Sequence, residues 1–193
     1  VAGLLQVLEE SGFKDNTIVI FTSDHGDMLG ERGMWFKMSF LEHSARVPLL
    51  IHAPARYSSR RVGAAVSLVD LLPTLVDMVT DDRGVEYVTP IEGRSLSPHL
   101  AGDAGHNEAL GEYFAEGTDT PLFMLRREST KAIYSKKDPL QLFDLSNDPD
   151  EINNLAQDPG QQSAIQAIET EITQRYDIKV LTEKVLESQR RRA

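Results

Sequence analysis

Residues 18–26 read IVIFTSDHG, an apolar run that ends in a cluster of polar side chains. The run is rich in β-branched and aromatic residues, and it predicts a strand buried on both faces, as is usual in a parallel sheet covered by helices. Ligands of open α/β sheets bind at the carboxyl ends of such strands. The polar cluster is therefore a candidate functional site.

The pattern on either side of this stretch predicts an α/β domain followed by a smaller α+β domain. A second buried strand is indicated at residues 47–52, and a helix at 67–78 begins with a capping box formed by Ser67 and Asp70. Composition shifts toward Asp, Gly, Pro and Ser at residues 80–107, which predicts domains at 1–105 and 106–193. In the second domain we expect an antiparallel meander at 109–115, 121–126, 131–135 and 141–144, then helices at 161–174 and 179–189.

Composition excludes several classes of function. The chain carries 30 acidic and 20 basic residues, a formal charge of −10, which argues against nucleic-acid and anionic-membrane partners because phosphates require a basic face. It has no cysteine, which excludes disulfides, thiolate metal sites and a cysteine nucleophile within these 193 residues. No apolar run approaches the roughly 20 residues of a membrane-spanning helix.

Asp24 and His25 are the strongest candidates for a metal site. A carboxylate is a hard oxygen ligand, and imidazole suits zinc, manganese and similar ions. Where the chain leaves the extended conformation of a strand, the side chains of two adjacent residues are able to reach the same cation. The alternative is that the pair only caps a turn.

Two further candidates are Lys37 and Glu116. Lys37 follows Trp35 and Phe36, so it is a candidate for a partly desolvated cation that binds an anionic oxygen, the alternative being a surface lysine. Glu116 shares a strand face with Glu112 because their separation is even, and it is equally suited to a cationic substrate group or to a lysine. The spacing of Glu42 and Arg46 favours an ion pair across one helical turn.

Four stretches in this order resemble the C-terminal half of a type I, formylglycine-dependent sulfatase. They are IVIFTSDHG at 18–26, EHSARVPLLI at 42–51, SLVDLLPTL at 67–75 and LFDLSNDPDEINNLA at 142–156. Three more stretches resemble the choline-sulfatase branch of that family: GMWFKM at 33–38, GEYFAEG at 111–117 and VLESQRRR at 185–192.

The resemblance implies an alkaline-phosphatase-like core with a small C-terminal subdomain, and a role for each candidate. Asp24 would bind a divalent cation, calcium in most sulfatases, with manganese and zinc as alternatives. His25 would contact the metal or the sulfate and is a candidate general acid or base. Lys37 would bind a sulfate oxygen and the bridging oxygen, and Glu116 would contact the choline ammonium.

The resemblance also implies that part of the active site lies outside this sequence. The formylglycine nucleophile arises from Cys or Ser in a C/S-x-P-x-R motif, and no serine here begins that pattern. We therefore expect the nucleophile upstream of Val1, a small sulfate ester such as choline-O-sulfate as substrate, a homo-oligomeric full-length form, and a cytoplasmic location. The alternatives are a phosphonate or phosphodiester hydrolase of the same superfamily, and a non-catalytic module.

Overall fold

The computed structural model describes residues 1–81, 83–115 and 117–192, which form two compact units. The first unit contains residues 1–26 and 46–106, and the second contains residues 27–45 together with the chain from Asn107 onward. The predicted domains, 1–105 and 106–193, stay a prediction. In the structure, residues 27–45 pack with the C-terminal part of the chain.

The first unit consists of short helices and one pair of strands. Its elements are α1 (Ala2–Glu10), β1 (Val19–Thr22), β4 (Leu49–His52), α3 (Leu71–Thr80) and α4 (Ser97–Ala101). The second unit contains β2 (Met28–Leu29), β3 (Trp35–Phe36), α2 (Glu42–Ala45), β5 (Glu108–Tyr113), β6 (Leu122–Arg127), β7 (Thr130–Ser135), β8 (Gln141–Asp144), α5 (Gln162–Arg175) and α6 (Ile178–Arg192).

The strand predicted from the opening run is present, but its surroundings differ from the prediction. β1 pairs antiparallel with β4, and the directly paired residues Phe21 and Leu50 are 45% and 56% exposed. The expectation of a parallel neighbour buried on both faces is therefore wrong for this pair. Strand direction depends on the connection between strands, which an apolar run does not encode.

The capping box before α3 is confirmed and fixes the surrounding loops. The Asp70 carboxylate accepts hydrogen bonds from the backbone N–H of Ser67 and of Arg94, both at 2.8 Å. It also lies 3.0 Å from Nε2 of His106, and both of these side chains are buried. Asp70 thus joins the start of α3 to two loops that are distant in sequence.

The predicted antiparallel meander is confirmed, with strand order β5-β6-β7-β8. Side chains of a strand alternate between the faces of its sheet, so the four strands present two apolar faces. On one face, Phe123 of β6 and Leu142 of β8 belong to an apolar cluster that also includes Ile172 of α5. The other contributes Ile133 and Phe143 to a cluster with Met28 and Leu41 of the 27–45 segment. The sheet is therefore covered by helices on one side and by this segment on the other.

Candidate functional site

Asp24 and His25 lie in a short turn directly after β1. The Ser23 hydroxyl donates to the carbonyl oxygen of His25 at 2.7 Å, and the backbone N–H of His25 donates to Asp24 Oδ1 at 3.1 Å. The Asp24 side chain is 83% exposed and that of His25 is 35% exposed. Local hydrogen bonds therefore hold both side chains at the surface of the first unit.

The hydrogen bond made by the His25 ring defines what its other nitrogen is able to do. Nδ1 lies 2.7 Å from the carbonyl oxygen of Gly26, and because a carbonyl oxygen only accepts, Nδ1 carries the proton. Nε2 lies 3.3 Å from Asp24 Oδ2. It either shares a second proton with that carboxylate or presents a lone pair to a cation.

This arrangement fits two ligands of one metal ion. Metal-binding histidines usually donate the other ring N–H to a carbonyl or carboxylate, as His25 does to Gly26. Two ligand atoms each about 2.0–2.4 Å from an ion are about 3 Å or slightly more apart, which agrees with the separation of Nε2 and Oδ2. Among the described residues, no group of three or more His, Cys, Asp or Glu side chains is placed to hold a metal. Asp24 and His25 alone therefore do not make a complete metal site.

Lys37 follows a short hairpin in the second unit. Met28 pairs with Phe36 and Leu29 with Trp35, and the turn between the strands uses Gly30 at φ 117°. Phe36 itself has a φ of 71°, a left-handed conformation that is unfavourable for a bulky side chain. Such strained residues cluster at functional sites, which makes the position before Lys37 notable.

The backbone of Lys37 is held by its neighbours in the chain. Its carbonyl oxygen accepts hydrogen bonds from the Ser39 N–H at 2.8 Å and from the hydroxyl of buried Ser44 at 2.6 Å. Lys37 is exposed, as are Trp35 and Phe36, so the expected desolvation by aromatic neighbours is not seen. Rings that are themselves 61% and 67% exposed do not shield a neighbouring ammonium group from water.

The remaining candidates have different outcomes. Glu116 lies outside the described residues. Glu112 accepts a hydrogen bond from the hydroxyl of Tyr176. The Glu42 carboxylate lies 2.8 Å from Nζ of Lys131 and 3.3 Å from Nη1 of Arg126, two partners that the sequence analysis missed.

Comparison with known proteins identifies the family. Residues 30–177 match the family described as N-sulphoglucosamine sulphohydrolase, C-terminal, which is more than three quarters of the chain. The chain belongs to the sulfatase family. It is 40% identical over 196 aligned residues to choline-sulfatase of Rhizobium meliloti, a match that covers 100% of this chain and 38% of that protein. The chain therefore spans well under half the length of this sulfatase relative.

Solved structures place the same region in the same fold. A 2-O GAG sulfatase matches 97% of this chain and 41% of its own, with 27% identity and a TM-score of 0.76. The phosphonate monoester hydrolase of Agrobacterium radiobacter matches 90% of this chain and 38% of its own, with 26% identity and a TM-score of 0.74. The fold is the alkaline-phosphatase-like fold of sulfatases, as the sequence analysis predicts.

Across the residues described, none of the sulfatase chain's helices combines the length and apolar character needed to cross a membrane.

Proposed function

We propose that this chain is the C-terminal part of a sulfatase that hydrolyses a small sulfate ester, choline-O-sulfate, to an alcohol and sulfate. The observation that carries the proposal is the 40% identity to choline-sulfatase over the whole of this chain. The attacking hydroxyl would come from a formylglycine outside these 193 residues, since no cysteine and no S-x-P-x-R motif is present in them.

Asp24 and His25 would hold a divalent cation, calcium first and manganese or zinc as alternatives. When bound, such a cation supplies positive charge to the sulfate oxygens. The hydrogen bond from His25 Nδ1 to the carbonyl of Gly26 would keep Nε2 directed toward that ion, and the exposed Asp24 carboxylate would offset its charge.

Lys37 would bind a sulfate oxygen and stabilise the bridging oxygen as the ester bond breaks. Negative charge develops on that oxygen in the transition state, and a fixed ammonium group stabilises it there. Support comes from the two hydrogen bonds that fix the Lys37 carbonyl and from the left-handed backbone of Phe36 beside it. Glu116 would contact the choline ammonium group.

A phosphonate monoester hydrolase is the second candidate. The structural match to the Agrobacterium radiobacter enzyme favours it, because the TM-score of 0.74 is close to that of the GAG sulfatase. Both reactions remove an anionic tetrahedral group from an oxygen, so the same metal ligands and lysine serve either one.

The test is the specificity of the full-length protein, measured as kcat/KM for choline-O-sulfate, a neutral alkyl sulfate and a phenyl phosphonate monoester. We expect choline-O-sulfate to be preferred over both by at least about tenfold, a difference of about 1.4 kcal/mol in barrier. Preference for the phosphonate ester would support the second candidate instead. Turnover of none of the three would favour the non-catalytic module and overturn the proposal.

A further inference from the structure

Two basic side chains stand directly opposite each other on the face of the sheet that packs against residues 27–45. Arg126 of β6 pairs in register with Lys131 of β7, and like charges at paired positions destabilise a sheet. Lys131 is also only 1% exposed, so water does not screen its charge. Such a pair is expected only where anions from outside the sheet compensate it.

Two glutamates supply that compensation. Glu42, at the start of α2, contacts both cations, at 2.8 Å from Lys131 Nζ and 3.3 Å from Arg126 Nη1. Glu151 Oε1 lies 2.8 Å from Lys131 Nζ, in an ion pair whose angles are not those of a hydrogen bond, and its side chain is 2% exposed. The two positive and two negative charges balance. We call Glu42, Arg126, Lys131 and Glu151 the buried ion cluster.

Glu151 also binds the backbone of the segment that carries Lys37. Its Oε2 accepts a hydrogen bond of 2.6 Å from the N–H of Glu42, the first residue of α2. Glu151 has a φ of 55°, and the Asp148 carboxylate accepts hydrogen bonds from the N–H groups of Ile152 and Asn153 directly after it. A turn with an unfavourable backbone conformation therefore places this carboxylate at the start of α2.

α2 in turn holds the backbone of Lys37. The hydroxyl of Ser44, which is 2% exposed, lies 2.6 Å from the carbonyl oxygen of Lys37 and 2.9 Å from that of Ser39. The contacts run from Lys131 and Glu151 in the C-terminal part of the unit, through Glu42 and Ser44 of α2, to the peptide of Lys37. The backbone of α2 joins Glu42 to Ser44, and every other step is a hydrogen bond or an ion pair within the second unit.

We propose that the buried ion cluster, acting through Ser44, is a positioning device that fixes the backbone from which Lys37 reaches the substrate. The proposal deepens the proposed function and rests on it, because Lys37 must act in the reaction for its placement to matter. Lys131, Glu151 and Ser44 are positioning residues and do not touch the substrate. Displacing a catalytic group by about 1 Å costs up to about a hundredfold in rate.

The experiment measures kcat and KM for choline-O-sulfate in full-length Ser44→Ala and Lys131→Met, each made alone and combined with Lys37→Met. Because positioning acts through Lys37, Ser44→Ala alone should lower kcat by about tenfold with KM changed less than about twofold. In the Lys37→Met background the same change should have no further effect on kcat. Lys131→Arg, which keeps the charge, should recover much of the activity that Lys131→Met loses.

Ser135→Ala is the matched control, since Ser135 is 7% exposed and lies at the end of β7. It should keep the kcat of the unmodified protein. If Lys131→Met does not fold, as judged by circular dichroism, the proposal is tested by Ser44→Ala alone, measured with and without Lys37→Met. An unchanged kcat in Ser44→Ala would overturn the proposal. So would a fold-loss of kcat from Ser44→Ala that is the same in the Lys37→Met background as in the unmodified protein. Full activity of Lys37→Met would instead contradict the proposed role of Lys37.

Discussion

At the scale of single residues, the paired nitrogen and oxygen of His25 and Asp24 are the most informative feature of the chain. The ring is oriented by one carbonyl oxygen and the carboxylate by one backbone N–H. Neither side chain is buried, so both are accessible at the surface of the first unit. The contacts described here all lie within residues 23–26, so neighbouring residues are enough to account for them.

Asp24→Asn should weaken metal binding. The amide keeps the oxygen that accepts the His25 N–H but removes the negative charge, and the charge of the ligands sets the affinity of such sites. We expect the dissociation constant of the full-length protein for calcium, manganese or zinc, titrated separately, to rise by at least about tenfold. Asp103→Asn, at an exposed position of the same unit, is the control. Unchanged affinity for all three ions would contradict the assignment of Asp24.

Glu116→Gln should reduce the preference for choline-O-sulfate over a neutral alkyl sulfate. A carboxylate attracts a quaternary ammonium group, and the amide that replaces it has no charge. The ratio of kcat/KM for the two substrates is the measurement, with Glu128→Gln as a control on the β6–β7 turn. An unchanged ratio would contradict the proposed contact between Glu116 and the choline ammonium group.

At the scale of elements, the turn after β8 is held by one carboxylate. Asp144 accepts hydrogen bonds from the hydroxyl and the N–H of Ser146, at 2.6 and 3.0 Å, and from Nδ2 of Asn147 at 2.6 Å. Together these donors, the Ser146 hydroxyl foremost, lower the pKa of Asp144 to about 2. The turn lies at the start of the LFDLSNDPDEINNLA stretch, which leads to Glu151 of the buried ion cluster.

The depressed pKa predicts a pH dependence of stability. Because the folded pKa is below the unfolded value of about 3.9, this carboxylate contributes fully above about pH 4, and the contribution is lost as the pH falls toward 2. Ser146→Ala should raise the pKa of Asp144, followed by NMR of its carboxyl carbon, and should lower the free energy of unfolding at pH 7. Ser163→Ala, at an exposed position of α5, is the control. A pKa unaffected by Ser146→Ala would show that these hydrogen bonds are not the cause.

At the scale of the whole molecule, the two units differ in how well their strands are covered. β6 and β7 each have a strand on both sides, and Phe123 and Ala132 within them are at most 1% exposed. β1 and β4 pair only with each other among the described residues, and they leave Phe21 and Leu50 half exposed. Stability against local opening follows buried apolar contact, so β1 and β4 should open more readily than β6 and β7.

Hydrogen exchange followed by mass spectrometry should show this difference in the 193-residue chain. We expect amides of β6 and β7 to exchange more slowly than those of β1 and β4 by at least about tenfold, since opening the central strands exposes a larger core. Peptides of α1, whose residues are all at least partly exposed, provide the fast-exchanging reference. Equal protection of both strand pairs would contradict two units of unequal stability.

Features that depend on neighbouring residues were predictable from the amino-acid sequence. Short strand candidates and their spacing predicted β5 to β8 and their antiparallel order. The capping box at Ser67 and Asp70 predicted the helical segment that leads into α3, because capping acts over a few residues. The polar cluster after β1 makes Asp24 and His25 candidates, and their contacts with each other in the turn are local.

Tertiary structure alone decided the contacts between distant residues. Local spacing favours Arg46 as a partner of Glu42, and the fold also brings the Glu42 carboxylate to Lys131, 89 residues away, and the Glu42 N–H to Glu151, 109 residues away. The direction of β1 relative to β4 and the packing of residues 27–45 on the C-terminal sheet were decided in the same way. A buried charge must find its counter-charge wherever the folded chain places one, and no local pattern records that position.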